Sequence, residues 1–275
     1  MPLKDIDHPW RKFEHAGWER AAGAYADSFE AATRQFAPSL LEAAGIQKSM
    51  DVLEVACGTG FLASAAAARG AVVTGVDFSA GMVAEATKRN PLLSFREADA
   101  EALPFPDSAF DGVVINFGVN HFPFPERALA EAHRVLRAGS RLAFTVWAPS
   151  DENALHGLVI NAVREAGDAG VSLPLPPKGA VSDIATCQRL LREGGFDGST
   201  LQVEKIEAFV PFDSAQKIID MFTDGVVRMA AVLRAQPREK SAAILAAVEK
   251  AVACYRNDGR LSIPATAILA SGIKQ

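Results

Sequence analysis

From Met50 to Trp147, short runs of consecutive apolar residues alternate with stretches whose apolar positions recur at helical spacing. "DVLEVA" from Asp51, "AVVTGVD" from Ala71, "LLSFRE" from Leu92, "FDGVVINFG" from Phe110 and "SRLAFTVWA" from Ser140 read as strands. Between them, "GFLASAAAARG" reads as a helix stopped by Gly70, and "SAGMVAEATKRNP" as one capped by Ser79 and ended by Pro91. "PERALAEAHRVLRAG" is a third helix, with Pro125 at its start and Gly139 past its end. Continuously apolar strands separated by helices predict a parallel sheet covered on both faces. The fold class expected is therefore α/β, doubly wound and mostly parallel.

The pattern changes on either side of this region. Residues 1–45 are expected to form an N-terminal helical lid, amphipathic from about Trp10 and rich in aromatics, among them Phe13, Trp18, Tyr25 and Phe29. After Asp151 come a helix, the Pro/Gly-rich "LPLPPKG", a helix over "SDIATCQRLLREGGF" and the strand-like "STLQVEKIEAFVPF". Two helices are expected over about Ser214 to Tyr255, and "GRLSIPATAILASGIKQ" has β character. We read residues 46–150 as a ligand-binding core. Residues 151–275 carry the remaining sheet strands with helical cap insertions, in one continuous domain.

Composition narrows the function classes. The chain has 275 residues, 49% of them apolar, with a net charge of −5. This mild acidity argues against the phosphate-neutralising surface of a nucleic-acid binder. Cys57, Cys187 and Cys254 are odd in number and unpaired by spacing, which fits neither a disulfide framework nor a zinc site. No stretch suggests a signal peptide or a membrane span, so the expectation is a soluble, cytoplasmic protein.

The chemistry centres on "VLEVACGTGFLA". Glycines directly after a first strand let a ligand approach backbone amides at the N-terminus of the next helix. Gly58, Gly60 and Ala63 satisfy a relaxed dinucleotide pattern, but three features favour a nucleoside. Asp77 ends the second strand, where an acidic residue accepts from ribose hydroxyls. Glu54, inside the first strand, suits a ligand carrying an ammonium group. Asp99-Ala100 follows the third strand and Asn116-Phe117 ends the fourth, so both face the crevice at the carboxyl ends of the strands.

"LEVACGTG", "TGVDFSAGMVAEA", "READAEALPFPDSAFDGVV" and "HFPFPERALAEAHRVLRAGSRLAFTVW" resemble the successive motifs of class I S-adenosylmethionine-dependent methyltransferases. Among these the chain is most similar to the small-molecule group that includes the ubiquinone/menaquinone-biosynthesis enzymes. The resemblance implies a seven-stranded Rossmann-like sheet and S-adenosyl-L-methionine as cofactor. It departs from the family at Ala56, where a glycine is usual.

Carried over, the resemblance implies a role for each residue. Gly58 and Gly60, with Ala56 and Thr59 of the same turn, would lie against the methionine moiety, and Glu54 would hold its amine through water. Asp77 would take both ribose hydroxyls, and Phe78 and Met82 would pack on the adenine. Asp99 would accept from the exocyclic amine, and the Ala100 amide would donate to a ring nitrogen. Asn116 and Phe117 would pass beneath the methionine part, and Tyr25 would close over its carboxylate end.

Methyl transfer is an in-line displacement that mainly needs alignment and exclusion of water. A base is required only when the acceptor must lose a proton, and His121 is the candidate catalytic residue. No acidic cluster has metal-ligand spacing in the right place, so no metal is expected. The partner expected is a small, apolar or aromatic acceptor, in a pocket built from residues such as Trp10, Trp18, Phe29, Leu155, Phe209, Phe212, Met221, Phe222 and Met229, with Trp147 facing either way. An NAD(P)-dependent oxidoreductase and a non-catalytic S-adenosylmethionine-binding protein are the alternative readings. The sequence leaves open which atom is methylated and whether the chain forms a homodimer.

Overall fold

The computed structural model describes residues 8–172, 174, 176–177, 179–257 and 259–275. Residues 1–7 of the expected lid, and Leu173, Leu175 and Lys178 of the Pro/Gly-rich stretch, lie outside them. The region expected to form the lid contains α1 (Pro9–Tyr25), α2 (Glu30–Thr33) and α3 (Ala37–Ala43). The core then runs β1 (Asp51–Val55), α4 (Phe61–Ala68), β2 (Val72–Asp77), α5 (Ala80–Arg89), β3 (Ser94–Glu97), β4 (Phe110–Asn116), α6 (Pro125–Val135) and β5 (Leu136–Trp147). Next come α7 (Ala154–Ala166), α8 (Ile184–Glu193), β6 (Gln202–Phe212), α9 (Ala215–Gly225), α10 (Arg228–Ala235), α11 (Arg238–Val252), the two-residue β7 (Arg256–Asn257) and β8 (Arg260–Ile273).

The strand order is β3-β2-β1-β4-β5-β8-β6, and β7 pairs with β8. The first five strands are mutually parallel, whereas β8 is antiparallel to both β5 and β6. Successive apolar residues of the central strands serve opposite faces, as a doubly covered sheet requires. Leu53, Val113, Leu142 and Phe144 pack with Leu129, Leu190 and Leu191 of α6 and α8. Their strand neighbours Val52, Val114 and Ala143 pack with Leu40, Leu41, Leu62 and Ala66 of α3 and α4. A third cluster joins α7, α9 and α11 to the outer stretches of β6 and β8.

Two sequence expectations need correction. The region from Ser214 to Tyr255 holds three helices, because the helical path breaks at Val226–Val227 and again at Gln236–Pro237. Gly139 does not cap α6: the chain leaves that helix extended at Leu136, and Gly139 lies within β5 with φ +81°, its amide donating to the Lys274 carbonyl.

The loop after β1 turns through left-handed backbone at Ala56 (φ +56°), Gly58 (φ +52°) and Gly60 (φ +80°). A Cβ at Gly60 would meet Phe95 Cζ at 2.8 Å and Asn90 Nδ2 at 2.9 Å, so glycine is required there by both φ and space. Ala56 carries the strain instead, about 1 kcal/mol for a left-handed non-glycine residue. Its Cβ fits because Gly118 opposite has none; one built there would approach Ala56 Cβ at 2.7 Å. We therefore expect Ala56→Gly to raise stability by up to about 1 kcal/mol, or roughly 2 °C in Tm. Gly118→Ala should be destabilising and partly rescued by Ala56→Gly, so additive thermal shifts in the double variant would refute this pairing.

Candidate functional site

The order β2-β1-β4 places a topological switch point at β1, and a cavity of about 670 Å³ opens beyond the carboxyl ends of these strands. Eleven expected site residues line it: Tyr25, Ala56, Gly58, Asp77, Phe78, Met82, Asp99, Ala100, Asn116, Phe117 and His121. Glu54, Thr59 and Gly60 do not. Gly60 starts α4. Thr59 is buried, and its hydroxyl donates to the Glu30 carboxylate. Glu54 is buried among acidic neighbours with Oε2 unpartnered. Burial pushes the Glu54 carboxyl well above the usual range, opposed by the Ala63 amide and reinforced by Asp77 and Glu30.

Asp77 ends β2 and closes the glycine turn: Oδ2 accepts from the Gly58 amide at 2.9 Å, and Oδ1 from the Ser79 amide at 3.0 Å. Burial raises its pKa, opposed by those two amides and by His121. Ser79 caps α5, its hydroxyl accepting from the Met82 amide at 3.1 Å, which fixes Met82 just past Asp77. Asp99 is buried after β3. Its Oδ1 accepts from the Glu101 amide, and Oδ2 stands 3.0 Å from Arg11 Nη1 with no aligned hydrogen bond. Asn116 accepts from Thr145 Oγ1 at 2.7 Å, and Phe117 stacks on Trp147 with centroids 3.9 Å apart.

Helix α1 lies across this crevice. Arg11 reaches Asp99 and Glu101, while Glu19 accepts from the Ser79 hydroxyl at 2.7 Å. Glu14, fully buried, accepts from Trp18 Nε1 at 3.1 Å and from His121 Nδ1 at 2.8 Å. A carboxylate holding Nδ1–H makes Nε2 the proton-accepting nitrogen of a ring that lines the cavity. Arg11 and Glu14 were not anticipated from sequence, although Arg11, Glu14, Trp18, Ala22 and Tyr25 recur at the spacing of one helix face.

Beyond Phe117 the cavity turns aromatic, with Phe29, Trp147, His156 and Phe222 in its wall. Of the residues expected to hold an acceptor, Trp18, Phe29, Phe222 and Met229 line it and Trp147 faces inward. Trp10, Leu155 and Met221 are core instead, Phe212 packs beside the core, and Phe209 is 56% exposed on β6. His156 stands 4.8 Å from Trp147 and 5.2 Å from Phe222, centroid to centroid. Burial pushes its imidazole down to about 3, and the Arg228 charge adds to this. Its folded pKa lies below the unfolded one, so its contribution to stability is complete above about pH 6.5. That contribution falls by up to about 1.4 kcal/mol per unit as pH drops toward 3. A His156→Gln variant should lose less stability than the parent between pH 6.5 and 4; equal losses in denaturant titrations would contradict this.

Among the described residues no helix is long and apolar enough to cross a membrane. Residues 53–144 match the family model described as a methyltransferase domain. The chain is 40% identical over 110 residues to the demethylmenaquinone methyltransferase of Renibacterium salmoninarum, covering 40% of this chain and 46% of that one. It thus spans about half the length of the curated quinone-pathway relatives it matches. An uncharacterized protein of Mycobacterium bovis is 32% identical over 210 residues, covering 74% of this chain and 73% of its own. Among solved structures, the YcgJ protein of Bacillus subtilis has the same fold, with a TM-score of 0.58 at 21% identity over 88% of this chain and 99% of that one.

Proposed function

The chain belongs to the class I S-adenosylmethionine-dependent methyltransferases, and we propose that it transfers a methyl group from S-adenosylmethionine to a small aromatic molecule. The observation that carries this reading is the pair Asp77 and Asp99, two buried carboxylates that line one cavity at the carboxyl ends of the neighbouring strands β2 and β3, beside the glycine turn.

The residues present fit the cofactor. Asp99 Oδ2 lacks an aligned donor, which an exocyclic amine would supply. A Cβ at Gly58 would meet only Tyr25 Cε1, at 3.9 Å, so the turn leaves its backbone approachable. The Asp77 and Asp99 carboxylates line this half of the site, a setting that suits an ammonium and a sulfonium. Asp77 would hold the ribose, the Ala100 amide a ring nitrogen, and Phe78 with Met82 the flat face of the adenine. Tyr25, Asn116 and Phe117 would border the methionine part.

When bound, the cofactor supplies an electrophilic methyl group. The chain's own contribution is to align the acceptor and keep water out, which Phe29, Phe117, Trp147 and Phe222 do by forming an apolar wall. For an acceptor that must lose a proton, His121 Nε2 would receive it, with Glu14 holding Nδ1.

Thermal-shift titration tests the reading against a nicotinamide enzyme on a related fold. S-adenosylhomocysteine should raise Tm and NAD should not, since only a ligand of the native state stabilises it. Larger stabilisation by NAD would overturn the proposal. Transfer of labelled methyl to a panel of phenols, quinols and amines tests turnover, and a complete blank would favour a binding protein.

A further inference from the structure

The acceptor's charge can be read from the opposite wall of the cavity, on the premise of the methyl-transfer reading above. Arg228, the first residue of α10, lines the cavity. Its Nε donates to the Pro174 carbonyl at 2.7 Å, and its guanidinium lies 5.8 Å from the Trp10 ring centroid. Among the described residues no carboxylate comes within ion-pair distance of it. The carboxylate that acts on it from further off is Glu14, which already serves His121 and Trp18. Burial lowers the Arg228 pKa, yet a guanidinium stays charged at any working pH.

A half-buried cation with no carboxylate at ion-pair distance, beside an apolar wall, gains from an anion that neutralises it. The nearby wall does not help, because His156 is neutral and Phe29, Trp147 and Phe222 are apolar. The methyl donor adds a second positive charge, its sulfonium, to the same cavity. An anion between these two charges would be attracted by both.

We propose that the methyl acceptor is a small aromatic carboxylate, its ring among Phe29, Trp147 and Phe222 and its carboxylate held by Arg228. A guanidinium presents paired N–H donors that match a carboxylate in two parallel hydrogen bonds. Arg11 and Arg164 also line the cavity, but Arg11 is engaged by Asp99 and Glu101, and Arg164 donates to Asn161 Oδ1 on α7. Arg228 is then a specificity residue, and the anchoring carboxylate keeps the ring in one orientation toward the methyl group.

The test uses the full chain saturated with S-adenosylhomocysteine and three probes: 4-hydroxybenzoate, 3-phenylpropanoate and indole-3-acetate, each beside its primary amide. Calorimetry should show at least one acid binding tenfold or more tightly than its amide. Arg228→Leu should abolish that preference while the Kd for S-adenosylhomocysteine stays within about twofold, and Arg228→Lys should retain part of it. If the leucine variant does not fold, Arg228→Gln replaces it. Amides that bind as well as acids, a panel in which no acid binds, or a preference that survives Arg228→Leu would each overturn the proposal. Failure of the unaltered protein to bind S-adenosylhomocysteine is a separate result, and it removes the methyl-transfer reading itself.

Discussion

Asp77→Asn is expected to weaken S-adenosylhomocysteine binding by at least 100-fold. The carboxylate would accept from two ribose hydroxyls, and hydrogen bonds to a charged partner contribute roughly 1.5–3 kcal/mol each. Together they correspond to two or more decades in Kd. The asparagine amide matches the carboxylate in shape but turns one acceptor into a donor. That NH2 then either opposes the Gly58 or Ser79 amide, donor against donor, or replaces an acceptor that a ribose hydroxyl would donate to. Part of the effect appears as lost stability, because Asp77 also ties β2 to the glycine turn. Calorimetric titration of the folded variant separates the two. A Kd within threefold of the parent would remove Asp77 from the cofactor site.

The second large effect is expected at His121. With any acceptor that loses a proton on methylation, His121→Asn should lower kcat by a factor of 10² to 10⁴, the usual range for a positioned base. Acceptor KM and S-adenosylhomocysteine affinity should change little. Glu14→Gln should act in the same direction but less strongly, by about 10- to 100-fold, since the imidazole survives and only its orientation and tautomer are loosened. An acceptor methylated on a group that is already anionic should be insensitive to both substitutions. Equal losses for both kinds of acceptor would assign His121 a shaping role only.

The core was legible because its signals are local. Each parallel strand buries both faces, so β1, β4 and β5 stand out as apolar runs, and the turn between β1 and α4 declares itself by its glycines. The insertion of β8 between β5 and β6 was not legible: both flanking strands pair with it across long separations, and nothing local encodes that order. Glu54 was placed near the cofactor by its distance from Gly58 along the chain. It is instead buried out of the cavity wall, in contact with the Ala63 amide at the start of α4. On α1 the aromatic stripe masked Arg11 and Glu14, whose importance depends on partners about 90 and 107 residues away. Arg228 was hidden by reading α9 to α11 as two helices, although Pro237 marks one of the breaks.

A crystal structure of the complex with S-adenosylhomocysteine tests the central claim most directly. The account predicts the ribose hydroxyls on Asp77, the adenine amine on Asp99 Oδ2 and the amino-acid portion against Gly58. A ligand bound elsewhere, or either carboxylate directed away from it, would contradict the account.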